Sequence, residues 1–294
     1  MCSGEAMKPL PFLVLLSLFG ALSCTPPASI ATFAESANAA IAQGPPVFAD
    51  IYESCARRQA VEGRVAPNYR HADRGRTQNP AKPSDSSVCA AFVPEVKELE
   101  EVSSVLSAYF QAIQNLAAFD ETSVSGEAEK TGEGISAAAI FSTNQADAVS
   151  KLSELITRAL TDHYRRNKLK ELLIAADPHV ATVSQALDAI VSKDYDSLLE
   201  EEERAVNRRY QETGVTNDAA IILLLNRAYR EDNDALQRRR TAAKAYSTAL
   251  RQARDGHHKL AAGVAQMNNK EISLALKPYI DQLRALALSL QTQP

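Results

Sequence analysis

VSKLSELITRALTDHYRRNKLKELLIAADPHVATVSQALDAIV, residues 149–191, decides the fold class. It sits inside a longer run, between Gly134 and Gly214, that holds no glycine and a single proline, Pro178. Those two residues cost a helix most, ~1 and ~3 kcal/mol per interior position, so a run without them is free to stay helical. The apolar residues agree. Val149, Leu152, Ile156, Ala159, Leu160 and His163 recur at helical steps, and Val180, Val183, Leu187, Ile190 and Val191 resume the rhythm further on. Between the two sets, Asp177 suits an N-cap and Pro178 a first helical position. The spacing therefore predicts a break or kink there, in one helix or between two.

Working outward, the same period recurs on both sides. Ile30, Phe33, Ala37, Ala40 and Ile41 form one stripe and Phe48, Ile51, Tyr52 and Cys55 another, interrupted by Gly44-Pro45-Pro46, which either ends one helix and starts another with proline in its first turn or kinks a longer one. A third stripe runs through Val96, Leu99, Val102, Val105, Leu106, Tyr109, Ile113 and Leu116, before a polar connection at 120–135 with three glycines. Beyond Gly214, Asn217 or Asp218 can cap a long helix with Ile221, Leu224, Leu225, Ala228, Leu236, Ala243, Tyr246, Leu250 and Leu260 on one face. Its partner returns through Ile272, Leu276, Ile280, Leu283, Leu286 and Leu290. No stretch alternates with the period of a strand. Helices of this kind bury their stripes against each other, so the expected fold is all-α: an antiparallel bundle of long amphipathic helices with a disulfide-stapled loop.

Composition fits that class. The chain has 294 residues, 45% hydrophobic and 23% charged, enough to build a core; aromatics at 6% and the absence of tryptophan leave alanine and leucine to fill it. A net charge of -4 gives no general attraction to nucleic acid.

The amino terminus carries an address. Met7, with Lys8 directly behind it, makes a more orthodox start than Met1, and an apolar run from Phe12 to Leu22 follows. The run is about half the ~20 residues a membrane-spanning helix needs, which reads as an export signal. It ends at Ala21, Leu22, Ser23 and Cys24. This end resembles the lipobox of the bacterial lipoproteins. The resemblance implies removal of 1–23, acylation of Cys24 as the first mature residue and a short lipidated tether at 24–28; the helical periodicity beyond it gives one helical domain over 29–294. With Thr25 following the cysteine, it also implies the outer membrane, facing the periplasm. Two or more acyl chains would anchor stably. The alternative is cleavage without lipidation, giving a soluble periplasmic or secreted protein.

Removal of Cys2 and acylation of Cys24 leave Cys55 and Cys89. In an oxidising compartment such a pair is expected to be bridged, closing a loop worth about 3–4 kcal/mol. The enclosed stretch is the least regular in the chain, irregular over about 61–93, with Gly63, Pro67, Gly75, Pro80 and Pro83. A metal site there lacks companions, since His71 stands alone and no CxxC or HxxxH spacing occurs.

Charge is uneven. Arg57, Arg58, Arg64, Arg70, Arg74, Arg76 and Lys82 face only Glu62 and Asp73 between residues 57 and 82. This stretch either meets anionic headgroups or is a solvated loop that pairs with acidic helices nearby. Glu200 with Arg204 reads as an exposed i,i+4 pair, and Arg238, Arg239 and Arg240 spread over ~200° of a helix, too wide for one phosphate clamp. His257 and His258, ~100° apart, cannot chelate one metal as an i,i+4 pair can, and His163 and His179 stand alone; each reads as a surface or seam residue. No phosphate loop and no nucleophile elbow occurs, so no catalytic residue, cofactor or metal ligand is assigned. The expected function is a lipid-anchored, non-enzymatic binding or structural protein whose partners are the membrane, through acyl chains on Cys24, and another envelope protein. A carrier of a small ligand or lipid between helices, and a hydrolase assembled from scattered carboxylates and histidines, stay open beside it.

Overall fold

The computed structural model describes residues 28–64, 87–118, 140–161, 165–213 and 218–292. Cys24 and the export segment, the 120–135 connection, His71, His163, and Arg70, Arg74, Arg76 and Lys82 lie outside the described residues. The described chain is helical: α1 (Ala28–Ile41), α2 (Gly44–Arg64), the single turn α3 (Ser87–Ala90), α4 (Phe92–Ala118), α5 (Thr143–Thr161), α6 (Arg165–Ala189), a π-turn (Ile190–Tyr195), α7 (Asp196–Thr213), α8 (Ala219–Gly263) and α9 (Asn269–Gln291). No strand occurs among the described residues, and the all-α bundle expected from periodicity is the observed architecture.

The central element is α1, held between α4, α8 and α9. All five of its expected seam residues, Ile30, Phe33, Ala37, Ala40 and Ile41, are buried, with Ala34 and Ser36 beside them. Three small alanines let the neighbouring helices approach closely, while Phe33 and the isoleucines each contribute about 1.5–3 kcal/mol by leaving water. The closest approaches fall on glycine. A Cβ on Gly256 would meet Phe33 Cε2 at 2.5 Å and Tyr279 Cγ at 3.1 Å, and one on Gly44 would meet Tyr246 Oη at 2.5 Å. These contacts also set direction, since Phe33 lies by Gly256 while Gly44, past the end of α1, lies by Tyr246. So α1 runs antiparallel to α8. Of the two alternatives at Gly44-Pro45-Pro46 the structure has two helices, with the prolines in the first turn of α2 where no N–H is needed.

One alternative is resolved and two expectations are corrected. Of one helix or two at Pro178, the structure has one: α6 runs from Arg165 to Ala189 with the proline inside it. Asp177 is not an N-cap, because its carboxylate is taken by His257 and His258 of α8, and Ala176 and Val180 are buried on either side. The second correction concerns α8. Its seam starts only at Leu236; Ile221 and Leu224, expected on that face, are exposed. The helix is 45 residues long, ~67 Å at ~1.5 Å per residue, and outruns the bundle. From 219 to 235 none of its residues is buried.

Beyond the bundle α8 is accompanied by α7, which reaches it through the π-turn. The disulfide Cys55–Cys89 is formed, S–S 2.02 Å and Cα–Cα 5.7 Å, with both cysteines buried. It ties α2 to α3 and so anchors both ends of the segment between them. No helix of the described residues is long and apolar enough to cross a membrane.

Candidate functional site

The exposed end of α8 is the most unusual surface. Asp218 caps the helix, accepting from the backbone N–H of Ala220 at 2.9 Å and of Ile221 at 3.4 Å. The helix then opens on Ala219-Ala220-Ile221-Ile222-Leu223-Leu224-Leu225. Ile221, Ile222, Leu223 and Leu224 are 46%, 40%, 67% and 66% exposed. Successive residues are ~100° apart, so these four occupy every side of the cylinder, and no single neighbouring helix can cover them. Exposed clusters of this kind mark interaction sites in soluble proteins.

The tip is held stiff by a tyrosine clasp one to two turns behind it. Tyr210 of α7 and Tyr229 of α8 meet edge to face at 5.1 Å. Tyr210 Oη donates to Asp232 at 2.8 Å and Tyr229 Oη donates to Asn207 at 2.9 Å, so each phenol bonds the opposite helix. Burial and the Asp232 carboxylate push the Tyr210 phenol up to about 12, which keeps it a donor. A cleft of about 530 Å³ opens between Asn207, Tyr210, Gln211, Ile222, Leu225, Asn226 and Tyr229.

At the base of the hairpin lies a charged cluster. Glu202, 3% exposed, accepts from Ser54 Oγ at 2.8 Å, Arg57 Nε at 2.8 Å and an Arg239 guanidinium N–H at 2.6 Å. Asp50 accepts two bonds from Arg57, at 2.8 and 2.9 Å, and one from the Tyr195 hydroxyl. Burial alone would lower the Arg57 pKa, but the Glu202 hydrogen bond and the charge of Asp50 outweigh it and hold the guanidinium above its ordinary value. Burial and Asp50 likewise raise the Tyr195 phenol far above its ordinary range. Tyr195 ends the π-turn, an element common at functional sites, whose extra residue re-aims the side chains that follow it. Beside the cluster is a cleft of about 350 Å³ lined by Gln43, Pro46, Val47, Asp50, Arg57, Tyr195, Ala235, Arg238, Arg239, Ala242 and Leu290.

The adjacent histidines share one carboxylate. His257 Nδ1 lies 3.0 Å from Asp177 Oδ1 and His258 Nδ1 2.8 Å from Oδ2, while the far nitrogen of His257 is 2.7 Å from Tyr109 Oη. His257 is a seam residue and His258 a surface one. Burial keeps the His257 pKa down despite Asp177. The neutral ring therefore donates from Nδ1 to the carboxylate and accepts the Tyr109 proton at Nε2. Tyr, His and Asp stand in the order of a nucleophile, base and orienting acid, yet Tyr109 has no solvent exposure. With its pKa raised well above the ordinary value by burial, it serves as a hydrogen-bonded pin joining α4, α6 and α8.

Arg57 and Arg58, the first two of the basic stretch, are committed inside the protein, Arg57 to Asp50 and Glu202 and Arg58 to Glu201. Glu200 and Arg204 form the exposed i,i+4 pair expected. Arg239 and Arg240 pair with Glu202 and Glu203, and His179 is half-buried in α6. No group of three or more His, Cys, Asp or Glu among the described residues could hold a metal ion. The cluster, the pin and the clasp have no local sequence signal, because their partners lie far apart along the chain. The exposed tip did have one, in five consecutive large aliphatic residues that exceed what a one-sided stripe uses. No family model matches the sequence, and neither a curated protein nor a solved structure matches it.

Proposed function

We propose that the mature chain is a lipid-anchored, non-enzymatic protein of the bacterial cell envelope that binds a second envelope protein through the tip of the α7–α8 hairpin. The observation that carries this reading is the exposed set Ile221, Ile222, Leu223 and Leu224. With 40–67% of each side chain still exposed, a partner that removes it from water gains about 0.6–2 kcal/mol per residue, enough for the set together to drive association. The lipobox-like end at Cys24 supports the address. Geometry supports the division of labour: Phe33 of α1 lies by Gly256, ~50 Å along α8 from Leu223 at ~1.5 Å per residue. The start of α1 at Ala28 thus lies toward the end of the bundle opposite the apolar tip.

A photo-crosslinking residue at Leu223 in the native host tests this. One envelope protein should be captured there and should not be captured from the exposed position Lys259 at the far end. Capture from position 223 should be lost when the residues on either side are made polar together, Ile222→Ser with Leu224→Ser. Crosslinks only to lipid, only to a second copy of the chain, or none at all, would overturn the reading.

A further inference from the structure

We infer that the cleft between the first turns of α2 and the middle of α8 binds a small organic monoanion, a carboxylate on a short apolar body. Independent features agree on this ligand, and none depends on the hairpin tip. The cleft of about 350 Å³ falls within the range of small-molecule sites. Its charge is unbalanced by one: the guanidiniums of Arg57, Arg238 and Arg239 stand against Asp50 and Glu202. Arg57 and Arg239 are committed to those two acids. Arg238 has no acid in salt-bridge reach among the described residues and stands exposed at the rim. Its planar fork fits a carboxylate bidentately, where an ammonium would not.

A second donor is unmet. Arg239 Nε is buried without a hydrogen bond, with Asp50 Oδ2 3.5 Å away. Besides Gln43, whose amide nitrogen donates to the Ala39 carbonyl at 3.3 Å, the rest of the wall is apolar, from Pro46, Val47, Ala235, Ala242 and Leu290. Those five residues suit a hydrocarbon body. The cluster behind is rigid, because Tyr195 and Arg57 both clamp Asp50, so the site is formed before a ligand arrives. One excess charge matches a carboxylate better than a dianionic phosphate.

Isothermal titration of the full chain with octanoate, octanol and inorganic phosphate tests the inference. Octanoate should bind saturably with one site, and octanol and phosphate should bind at least about ten-fold more weakly. Arg238→Ala should weaken octanoate by about ten-fold or more while leaving the melting temperature of the free protein unchanged, because Arg238 holds nothing in the fold; Arg238→Lys should restore only part of the affinity. Absence of octanoate binding, equal binding of octanol, preference for phosphate, or an unaltered affinity in Arg238→Ala would each overturn it.

Discussion

Acidification should weaken this fold through His257, by an amount that follows from its surroundings. The ring is 0% exposed, with Asp177 at 3.0 Å on one nitrogen and Tyr109 at 2.7 Å on the other. Burial lowers its pKa; the Asp177 hydrogen bond and charge oppose this, and the nearby His258 adds to the lowering. The folded protein therefore holds His257 neutral, whereas the unfolded chain protonates it near pH ~6.5. The folded pKa lies below the unfolded one. Above pH ~6.5 neither state binds the proton and stability is fully present; as pH falls from there toward the folded pKa, only the unfolded chain takes it up and stability is lost. The slope approaches ~1.4 kcal/mol per pH unit, so between about pH 7.5 and 5.5 the loss reaches up to about 1.4 kcal/mol. Asp177, whose own pKa is lowered by its hydrogen bond from His257, stays ionised across this window and adds no slope. Urea unfolding followed by circular dichroism at both pH values measures it. His257→Gln, which keeps a hydrogen-bonding side chain that does not titrate, should lose less stability on acidification than wild type by that amount. Parallel pH profiles for wild type and His257→Gln would refute the reasoning.

Reduction of the Cys55–Cys89 bridge, which spans 34 residues, should lower stability by about 3–4 kcal/mol, read as a drop in melting temperature on adding reductant that a Cys55→Ser, Cys89→Ser double variant does not show. Gly256→Ala should cost about 1–3 kcal/mol by overpacking, because the new methyl meets Phe33 at 2.5 Å. Gly63→Ala, with nothing within 4 Å, should stabilise by up to about 1 kcal/mol; thermal melts of the two variants should shift in opposite directions. Glu202→Gln strips the charge facing Arg57 and Arg239 and should cost about 3 kcal/mol, the lower end for a broken buried pair, since both arginines still reach water. Denaturant unfolding measures that cost.

Sequence alone determined the helical class, because the spacing of apolar residues and the scarcity of glycine and proline act locally and need no partner. It placed the seams of α1, α4 and α9 correctly for the same reason, and it paired Cys55 with Cys89 on the expectation that Cys2 is removed and Cys24 acylated, which leaves no other cysteine. Tertiary structure decided the rest. Whether α6 continues through Pro178 depends on its tertiary neighbours: the histidines of α8 engage Asp177, and Ala176 and Val180 are buried on either side. Whether Ile221 and Leu224 lie in a seam depends on where the neighbouring helices stop, and the period of an amphipathic helix holds no information on the length of its partners. The cluster at Glu202 gathers Ser54, Arg57 and Arg239 from three separate helices. Their charges repel or attract only once the bundle has brought them within hydrogen-bonding reach, so arginines and glutamates that read as a solvated face became the polar wall of a cleft.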